Sequence, residues 1–198
     1  GVDSEALNAI TKPTKVKGVK TSKRTKDSIT LKWTKQTGAT RYVIYKYNDE
    51  TKAFEKLGDS AKNSFTVSGL KANTQYRFKV KAACNTENGE EVFGALSSVY
   101  KDYTAPKTPK LKNAVSKKPY TIKASYEKVS GATGYQVMWS TTSTFTSNKK
   151  SVKVKTTTAT VTTARSGGSY YVRVRAYVKR GSKYYYSTWS NSKHVYTK

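Results

Sequence analysis

Gly38-Ala-Thr-Arg-Tyr-Val-Ile44 returns 93 positions later as Gly131-Ala-Thr-Gly-Tyr-Gln-Val137. The match extends outward on both sides. Upstream, Ser28-Ile-Thr-Leu-Lys-Trp33 pairs with Thr121-Ile-Lys-Ala-Ser-Tyr126, and in each the apolar residues fall on alternate positions, Ile29, Leu31 and Trp33 or Ile122, Ala124 and Tyr126. That period of two predicts half-buried strands. Downstream, Tyr76-Arg-Phe-Lys-Val-Lys-Ala82 pairs with Tyr170-Tyr-Val-Arg-Val-Arg-Ala176 at a spacing of 94, the extra residue belonging to a loop. A period near 93 exceeds the roughly 20 to 50 residues of solenoid repeats and suits β-sandwiches of about 100 residues. The reading is an all-β chain of two tandem sandwiches, residues 12–104 and 105–198. The seam lies in Tyr103-Thr-Ala-Pro-Lys-Thr-Pro109, where Pro106 and Pro109 restrict the backbone. Residues 1–11 have no counterpart in the second repeat and read as a flexible leader or linker, with one helical turn from Ser4 as the alternative.

Composition agrees. Sixteen Tyr and one Met in 198 residues, with abundant Thr, Val and Ser, favour strands. With Cys84 and His194 as the sole Cys and His, neither a four-ligand zinc site nor a disulfide framework can be built. No apolar run approaches the roughly 18 residues of a membrane span, and the first ten residues lack the pattern of a signal peptide. The chain reads as a soluble, monomeric fragment or processed form.

The order SITLKW, then a Gly-Ala-Thr-x-Tyr strand, then SGLKANTQYRFKVKAA resembles the fibronectin type III family across residues 12–104. The resemblance implies an immunoglobulin-like β-sandwich with Trp33 on its second strand and Leu70 and Tyr76 at a tyrosine corner. Residues 106–198 resemble the same family with departures: Tyr126 replaces the Trp and Ala164 the Leu, while the corner Tyr170 is kept. A smaller Ala164 implies a differently packed corner. Such spacing specifies a fold and says little of function.

Catalytic chemistry is poorly supplied. His194 sits in an alternating segment four residues from Lys198, with no orienting Asp nearby in sequence, and reads as a strand residue. Glu127 is the sole carboxylate of the second repeat, so no two-carboxylate site exists there. Glu87, Glu90 and Glu91 border Asn88-Gly89, which reads as a solvated turn, weak cation binding being the alternative. Cys84 reads as a small buried hydrophobe, a reactive thiol being the alternative. No glycine-rich phosphate loop is present. The expectation is a non-enzyme, with no cofactor and no metal.

The most distinctive stretch is YYVRVRAYVKRGSKYYYSTWS, residues 170–190. If Tyr170, Val172, Val174 and Ala176 face the core, then Tyr171, Arg173, Arg175 and Tyr177 line the outer face, and the returning strand brings Tyr186 and Trp189 beside them. Tyr186-Ser-Thr-Trp189-Ser190 resembles the Trp-Ser-x-Trp-Ser box of cytokine-receptor sandwiches, which implies a mainly structural ladder of guanidinium groups on aromatic faces. A surface offering aromatics to sugar rings is the other reading. The first repeat has only Lys79 and Lys81 opposite Phe93 and Leu96, so a weak ladder or none is expected there.

The net charge is +26, divided as +18 over residues 105–198, +10 over 12–104 and −2 over 1–11. Such a field draws polyanions. Lys supplies 31 of the 38 basic residues, and no groove-reading helix is evident, so specific nucleic-acid recognition is not expected. Lys on exposed strands also discourages sheet-edge pairing. Lys179, Arg180 and Lys183 cluster at the hairpin tip where this family often places contacts. Together with Tyr171, Arg173, Arg175, Tyr177, Tyr186 and Trp189 they form the candidate binding surface. The Lys- and Thr-rich strands, few Cys and phrases such as GYQVMWSTTSTF resemble copies from secreted or surface proteins of Gram-positive bacteria. That resemblance implies an extracellular spacer or adhesion module touching proteins or anionic wall polymers. The alternative is a carbohydrate-binding accessory to a polysaccharide or cell-wall hydrolase.

Overall fold

The structure, a computed structural model, describes residues 12–198. The leader expected at 1–11 lies outside the described residues. Among the described residues every regular element is a β-strand. In the first repeat β1 (Lys20–Arg24), β2 (Ile29–Lys32) and β5 (Ser64–Val67) form one sheet in the order β1-β2-β5. The other sheet runs β4 (Ala53–Ser60), β3 (Arg41–Asn48), β6 (Gln75–Asn85), β7 (Glu91–Phe93), and β8 (Tyr100–Tyr103) pairs the other half of β6. The second repeat repeats this plan. Its small sheet runs β13 (Thr158–Thr162), β10 (Thr121–Tyr126), β9 (Leu111–Val115). Its large sheet runs β12 (Lys150–Val154), β11 (Gly134–Ser140), β14 (Ser169–Arg180), β15 (Lys183–Tyr186), with β16 (Lys193–Tyr196) also on β14. By contacts the chain divides into two compact units. Among the described residues, one holds 12–24, Ile29–Ser68 and Gln75–Asp102; the other holds Thr25–Ser28, Gly69–Thr74 and Tyr103–Lys198.

The alternation read from sequence is the alternation of burial. Ile29, Leu31, Phe78, Val80 and Ala82 are buried in the first repeat, as are Ile122, Ala124, Tyr170, Val172, Val174 and Ala176 in the second. Trp33 lies one residue beyond β2, still tied to the sheet edge through its amide on the Asn63 carbonyl at 3.1 Å. Its ring meets Tyr42 edge-on at 5.2 Å, and the counterparts Tyr126 and Tyr135 meet at 4.9 Å. The repeated tyrosine of the Gly-Ala-Thr segment has a second task. The Tyr42 hydroxyl accepts the Gln36 amide and the Tyr135 hydroxyl the Val129 amide, each at 2.8 Å, so a buried loop donor is satisfied in both repeats. Burial, and secondarily the neighbouring Tyr135, push the Tyr126 hydroxyl well above the ordinary tyrosine pKa.

The strand returning along β14 is interrupted between β15 and β16, and serine hydroxyls fill the gap. Ser187 donates its amide to the Ala176 carbonyl at 2.9 Å, while its Oγ accepts the Ala176 amide at 3.0 Å. Ser190 does the same with Val174, at 2.8 and 3.0 Å. Each hydroxyl then donates to the next carbonyl along the chain, that of Thr188 or Asn191. Side chains therefore replace backbone acceptors, and β14 keeps its hydrogen bonds where a regular ladder is missing. The first repeat has one such serine: the Ser97 Oγ accepts the Val80 amide at 3.0 Å.

Candidate functional site

Between the two serine anchors stands Trp189, held over the outer face of β14. The Arg175 guanidinium lies 4.4 Å from its ring centroid and that of Arg173 4.6 Å. Arg175 also covers Tyr186 at 3.9 Å, and Arg173 covers Phe145 at 3.9 Å. Each guanidinium has a further partner on β11: Arg175 donates to Gln136 Oε1 at 2.9 and 2.7 Å, and Arg173 approaches Met138 Sδ at 3.3 Å. Burial draws both arginine pKa values below the ordinary one, though a guanidinium stays charged at physiological pH. The row continues through Lys153, whose ammonium sits 4.0 Å over Tyr184. Its hydrogen bond with Tyr186 is the main cause of a raised pKa. The stack thus runs Phe145, Arg173, Trp189, Arg175, Tyr186, and Lys153 with Tyr184 extends it.

Phe145, Lys153, Gln136 and Met138 escape the sequence reading. They come from the β11–β12 connection and from β11 and β12 themselves, and only strand register places them beside β14. Phe145 carries φ 57°, a left-handed backbone that a bulky residue rarely adopts, and is nonetheless buried. Its ring is the one that covers Arg173.

The other candidates fall in different places. Tyr177 belongs to the outer face but is not a free surface. It is 7% exposed, covered by Tyr184 and Tyr186, and its hydroxyl lies over Gly134, where a Cβ would stand 2.6 Å from the Tyr177 Oη. Tyr171 packs against His194 with tilted rings at 4.8 Å, and His194 meets Tyr196 edge-on at 4.6 Å. At the hairpin tip the three cations go separate ways. Lys179 lies 5.6 Å from the Tyr184 ring, Lys183 5.1 Å from Tyr185, and Arg180 3.8 Å from Tyr103 of the same compact unit.

The expectation of a weak ladder or none in the first repeat is corrected. Arg77 covers Tyr47 at 3.6 Å, Lys79 covers Phe54 at 4.6 Å and Lys81 covers Phe93 at 4.3 Å. Tyr47 and Phe54 face each other across β3 and β4, their rings 5.1 Å apart. Phe93 lies on the side of β6 inspected in sequence, whereas Tyr47 and Phe54 come from the opposite side, on β3 and β4. At the place of Trp189 the first repeat has Leu96, 38% exposed.

The sequence also hid a contact of His194, whose Nε2 lies 2.7 Å from Ser169 Oγ. Its ring is flanked by two tyrosines, and among the described residues no group of three His, Cys, Asp or Glu could hold a metal. Near Gly89 the turn forms as read, with φ 80° at Gly89 and the Thr86 amide on the Glu90 carbonyl at 2.8 Å. Glu91 is exposed, as read, but opens β7 and pairs with Arg41. Cys84 is a buried free thiol. At the tyrosine corner of the second repeat the Tyr170 hydroxyl accepts the amides of Ala164 and Arg165, both at 3.2 Å.

This is the architecture of a tandem sandwich protein, and comparison with known proteins agrees. Residues 12–94 match the family model of the fibronectin type III domain. Domains of that family are typically non-catalytic extracellular modules. The chain is also similar to the chicken CNTN1 FN1-FN3 domains, with 16% sequence identity and a TM-score of 0.55 over 94% of this chain and 68% of that one. No curated protein matches the chain. Among solved structures 546 chains match, and a fold used so widely assigns no single role.

Proposed function

We propose that the chain is a non-catalytic segment of an extracellular protein, two sandwiches in series with a boundary near residue 104. It serves as a spacer or adhesion module, and its second repeat makes loose electrostatic contact with anionic polymers or acidic protein surfaces. One observation carries this reading: residues 105–198 hold 19 basic residues and one acidic. The ion pairs described, from Arg24 with Asp102 to Arg77 with Asp49, all join residues 24 to 102. That net charge of +18 on the second repeat concentrates polyanions over about 8 Å at physiological salt. A wall polymer of a Gram-positive surface is a partner with that chemistry.

The ladder supports a structural role for its aromatics. Trp189 and Tyr186 already carry guanidinium groups, and a sugar stacking on the covered faces would have to displace contacts worth about 0.5–1 kcal/mol each. The test is retention of the intact chain on an anionic polymer resin and on a neutral polysaccharide resin. Salt-sensitive retention on the first alone is expected. Salt-insensitive retention on the neutral resin would favour the carbohydrate-binding alternative.

A further inference from the structure

Arg173 and Arg175 stand side by side in the ladder with unequal partners. Strand register sets Gln136 opposite Arg175 and Met138 opposite Arg173, both on the half-buried outer face of β11. Gln136 Oε1 accepts from both Nε and Nη2 of Arg175, at 2.9 and 2.7 Å. Arg173 instead turns its Nη2 to the Met138 thioether at 3.3 Å, and among the described residues its buried Nε has no hydrogen-bond partner. A thioether sulfur is a weak acceptor, and a buried N–H left unpaired is costly. Met138 is the one methionine of the chain, and its side chain is half-buried rather than sealed in the core.

We infer that Met138 is an oxidation site whose sulfoxide completes the arginine ladder. The oxidant is hydrogen peroxide. The thioether sulfur attacks one peroxide oxygen, the S–O bond forms as the O–O bond breaks, and the departing hydroxide takes up the remaining proton and leaves as water. Sulfur is oxidised by two electrons and the peroxide is reduced by two. The new oxygen is borne by the δ atom of the side chain, the position from which Gln136 presents its Oε1. It offers Nε and Nη2 of Arg173 the acceptor that Gln136 gives to Arg175, in hydrogen bonds strengthened by the guanidinium charge. Oxidation of a packed methionine ordinarily disrupts its surroundings. Here it relieves an unpaired buried donor, so the expected sign is reversed. Thioether and sulfoxide are both neutral, and the modification leaves the net charge of the repeat untouched. A methionine sulfoxide reductase restores the thioether.

The test treats the intact chain with hydrogen peroxide and maps the gain of one oxygen to the peptide that holds Met138. NMR then follows the Arg173 Nε–H, and thermal melts follow the second repeat. Oxidation is expected to move the Nε–H proton downfield, to slow its exchange with water and to raise the midpoint by about 2–5 °C. Met138→Gln should reproduce these changes without peroxide, and Met138→Leu should abolish the response to it. An unmoved Nε–H signal in the oxidised chain would overturn the inference. So would a lowered midpoint in either the oxidised chain or Met138→Gln, or a Met138 that resists peroxide in the folded chain.

Discussion

The Ser190 hydroxyl accepts the Val174 amide at 3.0 Å, and this bond fixes the chain at the residue next to Trp189. A side-chain acceptor thereby positions an aromatic ring over two guanidinium groups. Ser190→Ala leaves the Val174 amide unpaired against the core, at a cost of about 1–3 kcal/mol. Thermal unfolding of the second repeat should shift down accordingly, with a red shift of tryptophan emission in the folded variant. An unchanged midpoint and spectrum would show that the bond is dispensable.

Arg175 and Trp189 should be energetically coupled. Arg175→Ala, Trp189→Ala and the double variant form a cycle whose interaction energy is expected near 0.5–2 kcal/mol. The Gln136 bonds of Arg175 are lost in both legs that remove it and so cancel. Strict additivity would mean that the stack contributes no stability.

Gly134 is required by the ring that crosses it. A Cβ there would stand 2.6 Å from both the Tyr177 hydroxyl and the Val154 carbonyl, and the carbonyl belongs to the strand partner and cannot rotate aside. Gly134→Ala should destabilise the second repeat by about 1–3 kcal/mol, as overpacking commonly does. Combining it with Tyr177→Phe should recover only part of the loss, because the carbonyl contact remains.

Alkaline pH should unfold the second repeat through Tyr126. Its folded pKa is raised by burial, so below the ordinary tyrosine value of about 10 both states hold the proton and stability is unaffected. Above about pH 10 the unfolded chain ionises while the folded one does not, and stability falls with rising pH. Tyr126→Phe should flatten this fall in denaturant melts between about pH 10 and 11.5, at the expense of the hydroxyl's bond to the Thr156 carbonyl at 3.1 Å. An unaltered slope would place the alkaline sensitivity elsewhere.

Sequence alone carried the fold far. The repeat of Gly38–Ile44 at Gly131–Val137 and the alternation along Tyr170–Ala176 identified the strands, because burial on one face of a sheet imposes a period of two. Arg173, Arg175, Tyr186 and Trp189 were legible as a stack because all four lie on one hairpin and its return. Phe145 and Lys153 were not, since they reach β14 through a loop and through strand register, which alternation leaves undetermined. The first repeat's Tyr47 and Phe54 were missed for the same reason. The serine hydroxyls at 187 and 190 carry no periodic signal at all, and only the interrupted ladder reveals their task. Ala164 showed as a departure, and the structure leaves it exposed where Leu70 of the first repeat is buried.

The most direct test of the central claim compares two charge-matched triple reversals in the intact chain. One is Lys179→Glu, Arg180→Glu and Lys183→Glu at the hairpin tip; the other is Lys112→Glu, Lys117→Glu and Lys123→Glu on and beside β9 and β10. Affinity for an anionic polymer is measured as salt rises. A diffuse surface predicts a log-log decline for the parent chain, because each neutralised charge releases counterions, and an equal loss in both variants. Binding that is insensitive to salt, or that survives both reversals undiminished, would contradict the account.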